Sequence, residues 1–212
     1  MEELFNMLFR FGHILVGITW IGLLYYFNFI QTEYFKEAQE DARKDAVAKL
    51  APRALWWFRW AAFLTFLTGL ALLHYISVKI TLEIILGATM GTLMMLNVWG
   101  IIWPNQKIVI GLKEGDAAVA GPKAALASRT NTLFSVGMLY FMVASAHYPA
   151  SGQILGANLE MTGLLTGLAI IFAIQANAIW GKMLPAITTV RSVIVSSFVL
   201  CVAPVSYTHL RA

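Results

Sequence analysis

The sequence has one cysteine, no C-x-x-C-H segment and few charged residues, and each shortage excludes a class of protein. A single thiol, Cys201, allows neither an internal disulfide nor a cysteine-ligated cluster. The missing C-x-x-C-H excludes covalent attachment of a c-type haem within this chain. Charged residues make up 12% of the 212 residues and hydrophobic residues 59%, with a mean hydropathy of +0.71. This composition is typical of a polytopic membrane protein.

The positive charges are unevenly distributed along the chain. The formal net charge is +4, but the cations form no basic stripe, so we expect no nucleic-acid partner. Residues 31–53 contain five lysines and arginines and residues 104–129 contain four, whereas the other side of the membrane has Lys79 and Arg10. By the positive-inside rule, the N-terminus is predicted to lie outside and the charged connections in the cytoplasm.

Long apolar runs predict an all-α bundle of six membrane-spanning helices. A run of about 20 residues crosses the ~30 Å of hydrocarbon in a bilayer. We expect the third span to end at Pro104, and the Gly121–Pro122 pair to break any helix started before it. Residues 206–212 are expected to be a non-native tail after a membrane domain that covers 1–205. The predicted spans are 8–30, 54–74, 81–103, 130–147, 160–180 and 186–205.

Three histidines are predicted to lie at one level, near the outer face of the membrane. His13 lies in the first span, and His74 and His147 each close a span that ends on the same side. Neutral imidazoles on facing helices can ligate a haem iron without any charge to neutralise. We therefore predict a haem b with two of these three histidines as axial ligands of the iron. The alternative is that each imidazole only bonds a carbonyl or reaches the interface.

A second group of polar residues gathers toward the cytoplasmic ends of the spans. Arginine beside several amides suits a planar anion with carbonyl and N–H edges, against which aromatic rings can stack. The alternative explanation is interfacial snorkelling together with interhelical amide bonds. The candidate substrate-binding residues are Arg59, Asn97, Arg129, Asn131, Gln175, Asn177, Arg191 and Trp20.

Five segments spread over most of the chain can be compared with a known family. They are GHILVGITWIG (12–22), RALWWFR (53–59), WPNQK (103–107), ALASRTNT (125–132) and FMVASAHY (141–148). Together they resemble the membrane domain of the bacterial membrane-bound urate oxidase (urate hydroxylase) family. The resemblance implies oxidation of urate to 5-hydroxyisourate in purine degradation, with electrons passed to cytochrome c. It also implies a multi-pass protein of the bacterial inner membrane.

Fuller members of that family have additional spans and a cytochrome c domain with its own C-x-x-C-H haem site. Neither feature occurs in this sequence, so we expect the chain to correspond to the N-terminal membrane domain alone, as a truncated form. The resemblance assigns no catalytic residue at any position of this chain. The haem and substrate residues above therefore rest on their predicted depth in the membrane.

Two other functions stay open at this point. One is a b-type haem electron-transfer or assembly subunit that oxidises no substrate of its own. The other is a small-molecule transporter, for which spans broken in mid-membrane and inverted repeats are typical. The sequence has no such repeat pattern, so we favour the redox functions over transport.

Overall fold

The computed structural model describes residues 1–77, 79–148 and 152–209, with side chains described as far as Cys201. Within these residues the chain forms seven helices, and the predicted all-α fold is confirmed. Of the expected non-native tail, only the backbone of 206–209 is described, and 210–212 lie outside the described residues. The helices are α1 (Glu2–Glu37), α2 (Glu40–Tyr75), α3 (Leu82–Val109), α4 (Ala117–His147), α5 (Met161–Trp180), α6 (Pro185–Thr188) and α7 (Val190–His209).

Several of these helices are suited to a bilayer. Helices α1, α2, α3 and α5 are long and apolar enough to cross a membrane, and Val190–Cys201 of α7 is a shorter apolar helix. Helix α4 has 31 residues but carries a polar run at 128–132. The protein is thus a membrane protein. A helix overlaps each of the six predicted ranges. The sixth range is interrupted at Thr189, whose extended backbone separates α6 from α7.

Proline does not end a helix at the two places where we expected it to, so both of these expectations are wrong. Helix α3 continues through Pro104, and α4 contains Pro122. A π-helical segment, Val98–Ile102, precedes Pro104 and puts this residue in the first turn of the next α-helical segment, where a missing N–H costs little. Pro122 lies close to the start of α4, and the buried Ala120 and Ala124 hold this turn against the bundle.

Helices α1 and α2 form an antiparallel hairpin. The chain turns at Ala38 and Gln39, whose ψ angles of 141° and 152° are extended rather than helical. Near the other end of the hairpin, the rings of Phe9 and Tyr75 lie 6.3 Å apart. This pairing determines which residues of α2 are opposite each residue of α1.

Helix α4 is the centre of the bundle, since it packs against α1, α3, α5 and α7. It is antiparallel to α3, because Thr81 Oγ1 donates to Ser145 Oγ at one end and Asn97 bonds Asn131 further along. The bundle therefore has two ends. We call the end with the start of α1 and the end of α2 the histidine end, and the opposite one the arginine end.

Candidate functional site

Three amides form a hydrogen-bonded network across α3, α4 and α5. Asn97 Nδ2 donates to Asn131 Oδ1 at 2.8 Å and to Gln175 Oε1 at 2.9 Å. Gln175 Nε2 donates back to Asn97 Oδ1 at 2.7 Å, and Asn131 Nδ2 donates to the Met94 carbonyl at 2.9 Å. All three amides are buried, so the bundle excludes water from them. We call Asn97, Asn131 and Gln175 the amide network.

The amide network satisfies most of its own hydrogen-bonding capacity. Both N–H groups of Asn97 are used, and its carbonyl oxygen accepts from Gln175. Amide bonds between helices are a common means of association inside a membrane. The network therefore serves to join α3, α4 and α5, and it leaves few groups free to bind a ligand.

Arg129 lies only two residues before Asn131, but on the other side of α4. At 3.6 residues per turn, two positions on a helix point about 160° apart. Arg129 is only 6% exposed, and the described residues offer its Nη1 atom no hydrogen-bond partner. A buried guanidinium N–H without an acceptor is costly, and an anionic ligand would satisfy it.

The negative charge of Glu33, on α1, acts on Arg129. The two carboxylate oxygens of Glu33 are each 2.8 Å from Lys36 Nζ, so this charge is already paired. Glu33 is therefore not a dedicated counter-ion for Arg129. The guanidinium keeps the capacity to bind a second anion.

Polar contacts between α1 and α4 lie beside Arg129. Asn28 Nδ2 donates to Ser128 Oγ at 2.8 Å and to the Leu24 carbonyl at 2.9 Å. Asn28 belongs to a π-helical segment, Tyr26–Gln31, and the amide network has a similar segment directly after Asn97. Widened turns of this kind are frequent at functional sites.

Trp20 is a second buried group with an unpaired donor. Its side chain is 1% exposed, and within the described part of the chain its Nε1 has no hydrogen-bond partner. Trp20 precedes Asn28 by eight residues, which corresponds to about 12 Å along α1. The two unpaired donors, on Trp20 and Arg129, therefore belong to different levels of the bundle.

The other predicted substrate residues have different neighbours. The Arg59 guanidinium carbon lies 3.9 Å from the centroid of the Trp103 ring, a cation–π arrangement. Asn177 donates to the Lys182 carbonyl at 3.2 Å and so closes the end of α5. Arg191 is exposed near the start of α7. The structure joins none of these three to the amide network or to Arg129 by a hydrogen bond.

The three histidines differ in their surroundings. His13 is half-buried between α1 and α2, with its Nδ1 atom 3.0 Å from Thr68 Oγ1. His74 and His147 are exposed in the last turns of α2 and α4. The described residues contain no cluster of three or more His, Cys, Asp or Glu that could hold a metal ion. A haem iron needs only one or two protein ligands, because the macrocycle supplies the others.

The sequence did not point to Thr68, Ser128 or Ser135, which hold His13, Asn28 and Tyr25 in place. Ser128 could have been identified from the sequence, because the run 128–132 is polar within an otherwise apolar helix. No sequence pattern identifies Thr68, since its role depends on which residue of α1 lies opposite it.

Comparison with known protein families gives a match over more than half of the chain. Residues 79–203, more than half of the chain, match a family model described as urate oxidase N-terminal. The chain belongs to the urate oxidase N-terminal family. This confirms the family resemblance found in the sequence. No curated protein and no solved structure matches the chain.

The match to the urate oxidase N-terminal family covers α3, α4, α5, α6 and most of α7. It includes the amide network, Arg129 and His147. Helices α1 and α2, with His13, Trp20 and His74, lie before the matched residues.

Proposed function

We propose that this chain is the membrane part of an oxidoreductase that converts urate to 5-hydroxyisourate and passes the electrons to cytochrome c. The observation that carries the proposal is Arg129, a buried guanidinium with an unpaired N–H, in a member of the urate oxidase N-terminal family. The proposed location is the bacterial inner membrane. The histidine end would face outside, since lysine and arginine concentrate in the connections at the arginine end.

Arg129 would bind and orient the substrate. Urate is planar and anionic near neutral pH, with oxygen and nitrogen acceptors along its edges. A guanidinium presents its donors in a rigid planar fork, which suits such an edge and fixes the plane of the ring. In a site closed to water, this charge would hold the anion in place and neutralise it.

The reaction requires an electron acceptor. Formation of 5-hydroxyisourate adds the oxygen atom of water at C5 of urate and releases two protons and two electrons. Each cytochrome c takes one electron, so two molecules are reduced for each urate oxidised. A haem b, when bound, would supply one-electron transfer between these partners. The residues available to hold it are His13, His74 and His147, whose nitrogen donors suit haem iron.

Urate-dependent reduction of added cytochrome c by the purified protein is the direct test. We expect reduction with wild-type protein and a loss of about 10–150-fold with Arg129→Met, the equivalent of ~1.5–3 kcal/mol for a charged hydrogen bond. Arg191→Met is the matched control, because Arg191 is exposed, and it should keep wild-type activity. Wild-type protein that reduces no cytochrome c with urate contradicts the proposal.

An electron-transfer or assembly subunit without its own substrate is the second candidate. The observation that favours it is the amide network, whose groups bond one another instead of facing an open site. A b-type spectrum in protein that leaves urate unchanged would support this alternative.

A further inference from the structure

The hydrogen bonds around Thr68 favour the tautomer of His13 that carries its proton on Nδ1. Thr68 Oγ1 lies 2.7 Å from the Leu64 carbonyl oxygen and 3.0 Å from the Thr65 carbonyl oxygen. A hydroxyl has one proton to donate, and carbonyl oxygens only accept. With this proton directed to the Leu64 carbonyl, Thr68 Oγ1 can only accept from His13 Nδ1, 3.0 Å away.

This assignment leaves the other ring nitrogen, Nε2, with a free lone pair. In a neutral imidazole one nitrogen donates and the other accepts. The two nitrogens point in diverging directions, so Nε2 is directed away from Thr68. Besides Thr68, His13 has the backbone of Thr65 as a hydrogen-bond partner, and a backbone carbonyl can accept from a ring nitrogen but cannot donate to one.

Gly69 makes room for this ring. A Cβ atom placed on Gly69 would lie 3.2 Å from His13 Cε1 and 3.7 Å from Nδ1, closer than an ordinary contact for Cε1. The imidazole therefore lies directly against the backbone of α2. Thr68 and Gly69 together determine the position of the His13 ring.

We infer that His13 is one axial ligand of the haem in the proposed function, bound through Nε2, and that Thr68 is its positioning residue. The inference rests on that proposed function, and it assigns a particular histidine and a particular nitrogen. Metal-bound histidines usually donate their other N–H to an acceptor, which fixes the ring and raises its basicity. The bond from His13 Nδ1 to Thr68 has this form.

Haem titration of the purified apoprotein, followed by the reduced-minus-oxidised spectrum, tests the inference without any activity assay. His13→Gly should lose the b-type band, and added imidazole should restore it, which separates a lost ligand from a misfolded protein. Thr68→Val should weaken haem binding by about 10–100-fold, as loss of an outer hydrogen bond to a ligand does. Thr68→Ser keeps the hydroxyl and should bind haem like wild type. Gly12→Ala is the control, because a Cβ there meets nothing within 4 Å.

The outcomes separate this inference from the proposed function. A b-type band that His13→Gly retains in full, or equal haem affinity in Thr68→Val and wild type, overturns the inference alone. Wild-type protein without any b-type band overturns both the inference and the haem part of the proposed function. Urate binding at Arg129 is tested separately, by the effect of Arg129→Met on cytochrome c reduction.

Discussion

Buried polar groups on the two sides of α4 differ in whether they have hydrogen-bond partners. On the side facing α3, Asn131 has a partner for its carbonyl oxygen and another for its amide. On the side away from α3, Arg129 is buried to a similar degree, yet its Nη1 has no partner within the described residues. The two residues are separated only by Thr130. Burial of a polar group therefore does not by itself mark a binding site, and the proposal for Arg129 rests on its unsatisfied donor together with its positive charge.

The largest expected effect concerns the side with Arg129. Urate at one hundred times its dissociation constant should stabilise wild-type protein by about 2.7 kcal/mol, because it binds only the folded state. In Arg129→Met, with binding about 10–150-fold weaker, this stabilisation should fall to about 0.3–1.4 kcal/mol, since the anion loses its charged partner. Thermal unfolding in detergent, with and without urate, measures both values. Equal urate stabilisation in the two proteins would remove Arg129 from the site.

On the side of α4 that faces α3, we expect stability to depend on how closely the two helices pack. A Cβ on Gly87 would lie 3.2 Å from Phe141 Cβ and 3.3 Å from the Met138 carbonyl oxygen, so α3 and α4 would have to separate slightly. We expect Gly87→Ala to cost about 1–3 kcal/mol, the usual range for overpacking. Gly100→Ala is the control, since a Cβ there meets nothing within 4 Å. A Gly87→Ala protein as stable as the control contradicts the close contact.

The amide network gives the third effect. Asn97→Leu removes the partner of both Asn131 and Gln175, and we expect a loss of about 1–2 kcal/mol of stability. Asn105→Leu, on the same helix, removes only a bond to the Ile101 carbonyl and should cost less. Unfolding by denaturant in detergent compares the two variants. A smaller loss for Asn97→Leu than for Asn105→Leu would argue against the network as the joint of α3, α4 and α5.

The smallest effect belongs to the contact between α1 and α4. The Tyr25 hydroxyl lies 2.9 Å from Ser135 Oγ, whose own proton goes to the Thr132 carbonyl. Tyr25→Phe should therefore cost about 0.6 kcal/mol, the average for a hydrogen bond between membrane helices. Tyr34→Phe, at an exposed position, should have no measurable effect in the same assay. An equal change in both variants would mean that the Tyr25 bond contributes nothing.

Hydropathy and the five quoted segments were sufficient to predict the helical class and the family, because both depend on residues close together in sequence. We did not predict that Arg129 and Asn131 have different neighbours. Helical spacing shows that the two side chains point in different directions, but it does not show which helices they contact. The continuation of α3 through Pro104 was missed for a local reason, the π-helical turn before it. The contact between His13 and Thr68 requires the register between α1 and α2, which depends on packing across 55 residues of sequence.

The hairpin of α1 and α2 is longer than a bilayer is thick. Each helix has 36 residues and so measures about 54 Å, against about 30 Å of hydrocarbon. The part of α1 and α2 that exceeds the hydrocarbon thickness, near the turn, has exposed ion pairs. They join Glu33 and Lys36, Glu40 and Lys44, and Asp45 and Lys49. The hairpin therefore extends beyond the membrane at its turn, and a probe attached near Ala38 would lie outside the lipid headgroups.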